Sequence, residues 1–264
     1  MTKVGDILSV MDTAAREAGA LAMRTRSEGI EAEFKADCSP VTRADRQAEA
    51  IILERLGSAF PGLPVVAEEA FAAGRVPDVL GQRFFLVDPI DGTREYIAGR
   101  DEFTVNIALL DGGEPVAGIV FVPALGQLYS GSPEGAFRRT GEGPAQRIGV
   151  RRPDGPPVAL ASRSHRTSAT NDWLAAHGVE TVLAVGSSLK FCRLAEGAAD
   201  VYPCLGPTME WDTAAGQAVL QAAGGRVAQP DGAPLLYGKR GPDGRPDLLN
   251  PPFVAFGLVS LTTA

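Results

Sequence analysis

Residues 84–93 read Phe-Phe-Leu-Val-Asp-Pro-Ile-Asp-Gly-Thr. Apolar residues lead into Asp88, as in a buried strand, and Pro89 favours the end of that strand because proline cannot donate to a sheet. Asp91 follows the first carboxylate by three positions, and the last two residues of the stretch predict the start of a helix. Two carboxylates at a strand end, beside the N–H groups of a helix start, can hold a divalent cation and a phosphate together. The stretch therefore predicts a metal- and phosphate-binding turn.

The composition sets broad limits on fold and partners. The chain has 264 residues, enough for one large domain or for two modest ones with a shared core. Its net charge of −7 disfavours polymeric nucleic acid as a partner, because proteins that bind nucleic acid need a basic face. A small nucleotide whose phosphates are bridged by cations is compatible with this charge.

Hydrophobic pattern and cysteine content indicate the cellular compartment of the protein. No uninterrupted apolar run approaches the roughly 20 residues of a membrane span. Residues 4–22 place apolar side chains at helical spacing with charges between them, which predicts an amphipathic helix rather than a secretory leader. The cysteines Cys38, Cys192 and Cys204 are few and far apart, a pattern typical of a reducing cytoplasm. We expect a cytoplasmic protein without an integral membrane span, and peripheral association with the inner face of the cell membrane stays open.

The histidine content restricts the kind of metal site. The chain has 2 histidines, His165 and His177, so a zinc site built from several histidines is nearly excluded. A metal held by this chain would be bound by carboxylate oxygens. Such ligands favour a hard cation such as Mg²⁺ or Mn²⁺.

The order of predicted elements indicates a layered α/β sandwich. Helical patterns over residues 4–22 and 45–56 precede a short strand at 64–67 and an antiparallel meander from 103 to about 139. Beyond a Pro- and Gly-containing linker at 153–157, strands and helices alternate. We expect strands at 158–162, 181–185, 199–202 and 253–258, helices at 171–177, 187–196 and 212–223, and loops at 35–42 and 229–252. The expected domains are an N-terminal α+β metal-binding domain with an antiparallel sheet, residues 1–152, and a C-terminal α/β substrate domain, residues 153–264.

Acidic residues stand beside apolar segments at four places in the chain. They are Asp45 at a helix start, Glu68 and Glu69 after a strand, Asp88 and Asp91 around the turn, and Asp212 at the opening of a helix. Clustered carboxylates repel one another, and this repulsion raises their pKa values unless a cation neutralises them. Two divalent ions about 4 Å apart could clamp a phosphate and activate an attacking water. No covalent nucleophile would then be required.

Each acidic residue also has an ordinary structural interpretation. Asp91 and Asp212 could be helix N-caps, and Glu68 and Glu69 could be a solvated pair. Asp88 is harder to explain in this way, because burying a carboxylate without a partner is costly. The combination of the four elements favours a metal site.

Two separated motifs carry a family resemblance. Asp-Pro-Ile-Asp-Gly-Thr at 88–93 and Trp-Asp-Thr-Ala-Ala-Gly at 211–216 resemble the paired signature of the inositol monophosphatase-like phosphatases, a lithium-sensitive, Mg²⁺-dependent superfamily. Within it the chain most resembles the 3′(2′),5′-bisphosphate nucleotidases of the CysQ type. The segments that carry this closer resemblance are residues 39–45, 94–97, 101–108, 162–165, 186–192, 195–197 and 206–212. The resemblance covers most of the chain between residues 35 and 225 and implies an αβαβα sugar-phosphatase fold.

The resemblance implies a role for each matching residue. The first Mg²⁺ would be bound by Glu68, Asp88 and the backbone carbonyl of Ile90. The second would be bound by Asp88, Asp91 and Asp212, and the total would be two or three ions. Asp45 and Thr93 would orient and deprotonate the attacking water, because a threonine hydroxyl can accept from water when it donates onward to a carboxylate. The remaining implied residues contact substrate: Gly92, Thr93, Ser162, Ser187, Lys190, Glu210 and Asp212.

These substrate contacts have individual reasons and alternatives. Lys190 offers a positive charge for a second phosphate, although it could also be a solvated helix lysine. Ser162 and the residues after it, to His165, follow a strand where a loop could meet the nucleoside, although serines there also suit turns and caps. Glu210 would contact the sugar. Cys204 stands where relatives commonly have a basic residue.

The implied activity is hydrolysis of 3′-phosphoadenosine 5′-phosphate to AMP and phosphate, with the sulfated precursor as a second substrate. This reaction would clear a by-product of sulfate assimilation and would be inhibited by lithium. The main alternative is an inositol monophosphatase or a broad sugar phosphatase on the same scaffold. A more remote alternative is a non-catalytic regulator that binds metal and phosphate, but such a protein has no need of the Asp45 and Thr93 pair. The sequence does not specify an oligomeric state.

Overall fold

The computed structural model describes residues 3–35, 39–77, 80–164 and 166–261. Its helices are α1 (Val4–Glu28), α2 (Arg43–Ala59), α3 (Glu68–Ala72), α4 (Thr93–Ile97), α5 (Ser168–Ala176), α6 (Leu189–Ala195) and α7 (Glu210–Ala222). The strands of the first half are β1 (Ala32–Phe34), β2 (Pro40–Thr42), β3 (Val65–Ala67), β4 (Arg83–Asp91), β5 (Thr104–Asp111), β6 (Glu114–Val122), β7 (Gln127–Ser132), β8 (Gly135–Thr140) and β9 (Gln146–Ile148). Those of the second half are β10 (Val158–Ser162), β11 (Thr181–Val185), β12 (Val201–Cys204), β13 (Arg226–Ala228) and β14 (Phe253–Phe256).

Two large sheets organise these elements. Within the described residues the first sheet has the order β3-β4-β5-β6-β7-β8-β9 and is antiparallel except for the parallel pair β3 and β4. Its β5 to β8 portion is the meander predicted from the sequence. The second sheet has the order β11-β10-β12-β14-β13, and its first three strands are parallel. The parallel strands come from the part of the sequence where strands and helices alternate.

The helices and sheets form five layers. Helices α1 and α2 bury apolar side chains such as Met11 and Ile52 against one face of the first sheet. The other face shares a core with α6, α7 and the second sheet, and Phe191 and Leu220 are part of this core. The outer face of the second sheet is covered by α5 through Trp173. This αβαβα arrangement confirms the predicted fold class.

Glycines let α7 lie directly on the first sheet. A Cβ atom at Gly118 would come within 2.5 Å of the carbonyl oxygen of Ala215. A Cβ atom at Gly131 would come within 2.5 Å of the Cα of Val219. Any larger residue at these two strand positions would push the helix away. Since Asp212 lies in the first turn of α7, this close approach also fixes the position of its carboxylate.

The connection between the sheets runs from Ile148 to Val158. The predicted domain boundary at 152/153 falls inside it. The core of the first sheet continues through α7 into the second sheet. A division into domains 1–152 and 153–264 therefore stays a prediction.

The structure corrects several predicted boundaries. Residues 40–42, predicted as part of a loop, form β2 and pair with β1. Helices α2 and α7 begin two residues before Asp45 and Asp212, the predicted helix starts. The reason is the same in both helices: each aspartate lies in the first turn, where its carboxylate accepts a hydrogen bond from the backbone N–H of the N-cap residue. That residue is Thr42 for Asp45, at 2.8 Å, and Met209 for Asp212, at 2.7 Å. The N-cap interpretation of Asp212 is therefore wrong.

The remaining sequence predictions concern membrane spans and individual segments. No helix within the described ranges combines the length and the apolar character needed to cross a membrane. Cys38 and His165, which the sequence analysis singled out, lie outside the described residues. The segment 229–252 is irregular as predicted, and the strand β13 before it was not predicted.

Candidate active site

A cavity of about 530 Å³ is lined by residues from both halves of the chain. The structure brings most of the predicted site residues to its wall: Glu68, Asp88, Ile90, Asp91, Gly92, Thr93, Ser162, Ser187, Lys190 and Asp212. Asp45 lies behind Thr93 within hydrogen-bonding distance. Lys190 and Asp212 lie 99 and 121 positions after Asp91 in the sequence, so they reach the same wall only through the fold.

The acidic residues at this wall are buried close together. Asp88 is 2% exposed. Burial raises the pKa of Asp88 well above its usual value, and the nearby charges of Glu68 and Asp91 raise it further. Burial likewise raises the pKa of Asp212, with Asp91 as the largest charge contribution. Such a cluster is stable in its ionised form only when positive charge lies beside it.

Lys35 supplies positive charge that the sequence analysis did not predict. Its Nζ donates to Glu68 Oε1 at 2.7 Å and to Glu69 Oε1 at 2.6 Å. Burial raises the pKa of Glu68 to about 7, and the Lys35 ammonium opposes this shift. Lys35 directly follows β1, and nothing in its local sequence indicates which carboxylates it contacts.

The carboxylates fit a hard cation by their chemistry. Oxygen ligands from aspartate and glutamate are those that Mg²⁺ prefers. In the part of the chain that the structure describes, no three acidic, histidine or cysteine side chains are gathered around one ion position. One carboxylate oxygen of Glu68, Oε1, already contacts Lys35 in this structure.

Asp91 is held by a turn from the second half of the chain. Its Oδ2 accepts from the backbone N–H of Ser188 at 2.5 Å and lies 3.4 Å from Nδ2 of Asn106. The Ser188 hydroxyl in turn donates to Oδ1 of Asn106 at 2.7 Å. Ser187, at the corner of this turn, has a φ of +51°, a left-handed conformation that is unusual for serine. The turn therefore orients one predicted metal ligand through backbone and side-chain donors.

Asp45 and Thr93 form a hydrogen-bonded pair. The Thr93 hydroxyl lies 3.1 Å from Asp45 Oδ1 and 3.1 Å from the carbonyl oxygen of Ile90. Asp45 Oδ2 also accepts from the Thr42 hydroxyl at 2.6 Å. Burial raises the pKa of Asp45, whereas the hydrogen bonds from Thr42 lower it. When Thr93 donates to Asp45, its oxygen keeps lone pairs that can accept a hydrogen bond from a water in the cavity.

Lys190 is a buried residue of the cavity wall. Its side chain is 5% exposed, its Nζ donates to the carbonyl oxygen of Ser187 at 2.5 Å, and it lies 5.2 Å from the centre of the Tyr202 ring. Burial lowers the pKa of Lys190, and the charge of Asp91 opposes that shift. The alternative interpretation of Lys190 as a solvated helix lysine is therefore wrong. Cys204 lies in the same wall and is also buried.

The loop after β10 joins the two halves of the chain beside the cavity. Arg163 pairs with both carboxylate oxygens of Glu102, at 2.9 and 3.0 Å. The Ser164 hydroxyl donates to Glu95 Oε1 at 2.5 Å. Ser162 itself lines the cavity, as predicted for a substrate contact. The residues after it have a structural function that the sequence analysis did not anticipate.

Glu210 is not among the residues that line the cavity. Its side chain is fully buried, and its Oε2 accepts from the backbone N–H of Gly238 at 2.7 Å. Its Oε1 forms an ion pair with Lys239. Both oxygens are used to hold the C-terminal irregular segment, so this position does not match the predicted contact with a sugar. Sequence reasoning missed this because the partners are 28 and 29 positions away.

An aromatic pair forms another part of the cavity wall. The ring centres of Phe71 and Trp211 lie 5.3 Å apart at an interplanar angle of 60°. Both residues line the cavity. The sequence analysis did not assign a function to either ring, although each stands within three positions of a predicted metal ligand, Glu68 or Asp212.

Comparison with known proteins gives consistent matches over nearly the whole chain. The model of the inositol monophosphatase family matches residues 5–251. The 3′(2′),5′-bisphosphate nucleotidase CysQ of Escherichia coli strain K12 is 42% identical over 241 residues, which cover 90% of this chain and 95% of that protein. The protein of the same description from Haemophilus influenzae is 30% identical over 86% of this chain and 84% of its own length.

Solved structures show the same relationship. The crystal structure of CysQ from Bacteroides thetaiotaomicron, described as a bacterial member of the inositol monophosphatase family, superposes with a TM-score of 0.79. It is 36% identical, and the match covers 97% of this chain and 98% of that one. An IMPase from Thermotoga maritima has a TM-score of 0.78 at 25% identity, with 96% of this chain and 92% of that chain covered.

Proposed function

The chain belongs to the inositol monophosphatase family of metal-dependent phosphatases, and we propose that it is a 3′(2′),5′-bisphosphate nucleotidase. Its reaction would be hydrolysis of 3′-phosphoadenosine 5′-phosphate to AMP and phosphate. The CysQ proteins, which carry this description, are similar over most of the chain. The observation that carries the choice of substrate is the buried ammonium of Lys190 in the cavity that also holds the clustered carboxylates.

The metal ligands follow the assignment made from the sequence. Glu68, Asp88 and the carbonyl oxygen of Ile90 would hold one Mg²⁺, and Asp88, Asp91 and Asp212 would hold the other. When bound, the ions neutralise the carboxylates, draw charge from the phosphate and lower the pKa of water. The raised pKa values of Asp88 and Asp212 support this assignment, because they show how strongly the cluster requires positive charge. The number of ions, two or three, is part of the proposal.

Asp45 and Thr93 would act on the attacking water. Thr93 donates to Asp45 and accepts from the water, which fixes the direction of the water oxygen. The water oxygen forms a bond to phosphorus, and the ester bond between phosphorus and the ribose oxygen breaks. Asp45 would accept the proton that the water loses, passed through the Thr93 hydroxyl. The ribose oxygen would take a proton from solvent water and leave as a hydroxyl, and Asp45 would then return its proton to solvent.

The cavity wall would select a substrate with two phosphates. Gly92 and Thr93 would meet the phosphate that is removed, at the start of α4. Lys190 would attract the phosphate that is kept, and Ser162 and Ser187 would donate to the substrate oxygens. The sulfated precursor has the same pair of phosphate positions and would be a second substrate.

The cellular setting is also part of the proposal. A cytoplasmic location is supported by Cys192 and Cys204, which are both buried thiols that form no disulfide. The role would be removal of a by-product of sulfate assimilation. A small-molecule substrate fits the cavity, and the net charge of −7 disfavours polymeric nucleic acid.

A substitution of Lys190 tests the choice of substrate. In the presence of Mg²⁺, Lys190→Met should raise KM for adenosine 3′,5′-bisphosphate at least about tenfold, a loss typical of a charge-assisted contact. It should leave KM for adenosine 3′-monophosphate within about twofold, since that substrate lacks the second phosphate. An equal loss for both substrates would show that Lys190 supports the site without recognising the second phosphate.

A further inference from the structure

One wall of the cavity has no part in the chemistry proposed above. It consists of apolar and aromatic side chains: Phe71, Ala72, Pro207, Met209 and Trp211. The cavity volume of about 530 Å³ is in the range of pockets that enclose a whole organic ligand, and this is far more than a phosphate group needs. A nucleoside therefore has room beside this wall.

Phe71 presents the accessible part of the aromatic wall. Trp211 is 5% exposed, and Phe71, whose ring lies 5.3 Å from it, is half-buried and lines the cavity. Trp211 therefore packs beside Phe71 with little exposed surface, while part of the Phe71 side chain can be reached by a ligand. Aromatic pairs of this tilted kind are favourable packing arrangements.

The backbone holds Phe71 in place. The carbonyl oxygen of Phe71 accepts a hydrogen bond from the backbone N–H of Gly74 at 2.9 Å. The carbonyl oxygen of the preceding residue, Ala70, accepts one from the backbone N–H of Arg75 at 2.8 Å. The carboxylate of Glu49 accepts from the N–H of Glu69 at 2.7 Å, which fixes the other end of the same short helix. A surface that is already ordered costs little conformational entropy when a ligand stacks on it.

The position of Phe71 matches the separation of base and phosphate in a nucleotide. Phe71 lies three residues after Glu68 in α3, which places their side chains on one face, about 5–6 Å apart at Cβ. At Phe71 the aromatic wall therefore begins about one helical turn from Glu68, which leaves room for a ribose between the reacting phosphate and the base.

We propose that Phe71 is the stacking surface for the purine base of the substrate, an inference that rests on the proposed function. The ring provides an apolar face for the base, and Lys190 provides charge for the phosphate that is kept. Stacking of a base on an aromatic side chain changes affinity by about 5- to 150-fold when the side chain is truncated. The wall thereby favours nucleotides over inositol and sugar phosphates, which have no aromatic base.

Kinetics with and without the base test this inference. The substrates are adenosine 3′,5′-bisphosphate and its base-free counterpart, methyl ribofuranoside 3,5-bisphosphate, both with saturating Mg²⁺. The variants are Phe71→Ala, Phe71→Leu, which keeps apolar volume without an aromatic face, and Phe71→Tyr, which keeps the ring. Phe60→Ala is the matched control, because Phe60 is also half-buried and pairs with Phe85 at 5.7 Å, but does not line the cavity.

We expect Phe71→Ala and Phe71→Leu to raise KM for the nucleotide at least about fivefold and to leave KM for the base-free substrate within about twofold. Phe71→Tyr should retain the wild-type KM for the nucleotide, and Phe60→Ala should leave KM for both substrates unchanged. Inhibition by AMP should weaken in Phe71→Leu, whereas inhibition by inorganic phosphate should not.

An equal change for both substrates, or no change for either, would overturn the inference. The proposed function is tested separately by the wild-type protein. If the wild-type protein hydrolyses the nucleotide and Phe71→Leu does so with unchanged KM, only the stacking inference is wrong. If the wild-type protein does not hydrolyse the nucleotide, the proposed function and the inference both fail.

Discussion

The ammonium of Lys35 lies 2.7 Å from Oε1 of Glu68, a predicted metal ligand, and 2.6 Å from Oε1 of Glu69. The side chains of Lys35 and Glu69 are 13% and 9% exposed, so this is a largely buried ion pair. The fold thus places a protein cation beside Glu68, one of the carboxylates that the proposal assigns to metal.

This contact predicts a dependence of stability on metal. Lys35→Met should lower the free energy of unfolding by about 1–3 kcal/mol in EDTA, because removing one partner leaves largely buried carboxylate oxygens without a donor. Saturating Mg²⁺ should remove most of the difference, since the ion then supplies the charge. Thermal unfolding in the two conditions measures both values.

The control for this experiment is Arg46→Met. Arg46 pairs with Glu33 at 2.6 Å, but the two side chains are 52% and 66% exposed, so the pair should contribute about 0–1 kcal/mol in either condition. A Lys35→Met variant that is equally destabilised with and without Mg²⁺ would contradict a role of Lys35 as the counter-charge of a metal site.

The water-activating pair gives a second prediction. Asp45→Asn should lower kcat by about 10²–10⁴-fold, the range typical of a lost general base, while Mg²⁺ binding measured by calorimetry stays largely intact. Thr93→Val should have a similar effect, and Thr93→Ser, which keeps the hydroxyl, should retain most of the activity. Unchanged turnover in Asp45→Asn would refute the assigned base.

The support of Asp91 gives a third prediction. The amide oxygen of Asn106 accepts a hydrogen bond from the Ser188 hydroxyl, and its amide nitrogen lies 3.4 Å from Oδ2 of Asp91. Asn106→Ala should weaken Mg²⁺ binding by about 10- to 100-fold, as is usual for residues that orient a metal ligand. A titration of activity with Mg²⁺ measures this change, and full recovery of kcat at high Mg²⁺ would separate positioning from direct catalysis. Wild-type Mg²⁺ dependence in the variant would exclude a positioning role.

Stability should also depend on pH in the absence of metal. In the folded protein, burial raises the pKa values of Glu49 and Glu68 from 4.5 to about 7. Between pH 4.5 and about pH 7 the folded state therefore binds more protons than the unfolded state. The free energy of unfolding then decreases as the pH rises through this range. We expect a loss of roughly 1–3 kcal/mol from pH 5.5 to 8 in EDTA.

Mg²⁺ should reverse this dependence, because it stabilises the ionised carboxylates and binds better as protons leave. Chemical denaturation at several pH values, with EDTA and with Mg²⁺, provides the measurement. A metal-free protein that becomes more stable between pH 5.5 and 8 would contradict the assignment of raised pKa values to these buried groups.

Glu210 provides a fifth prediction, which separates a role in holding the C-terminal irregular segment from a role in contacting the substrate sugar. Its contacts with Gly238 and Lys239 indicate that Glu210→Gln should lower the free energy of unfolding by about 1–3 kcal/mol. KM for adenosine 3′,5′-bisphosphate should stay within about twofold of the wild-type value. A marked rise in KM at unchanged stability would restore the sugar contact that the sequence resemblance implied.

The sequence predicted the parts of the site that depend on local order. In residues 88–93, a strand end and a helix start place Asp88, Asp91 and Thr93 within a few positions of one another, so short-range geometry fixes their arrangement. The alternation of elements in the second half predicted the layered fold for a similar reason, since each strand must bury its apolar residues between helices.

Long-range contacts were beyond the reach of sequence reasoning. Ser188 donates to Asp91 across 97 positions, and Lys35 reaches Glu68 across 33. Ser188 meets Asp91 because α6, which begins at the next residue, shares a core with the first sheet. Lys35 meets Glu68 from the end of β1, which is far from α3 in the sequence. A polar residue gives no local signal for such a partner.

Phosphate release by the wild-type protein with Mg²⁺ tests the central claim most directly. Adenosine 3′,5′-bisphosphate and inositol 1-phosphate should be compared at equal concentrations, with and without lithium. We expect kcat/KM for the nucleotide to exceed that for inositol 1-phosphate by at least about tenfold, with inhibition by lithium. Equal or reversed preference would contradict the assignment as a bisphosphate nucleotidase and would favour an inositol monophosphatase or a broad sugar phosphatase.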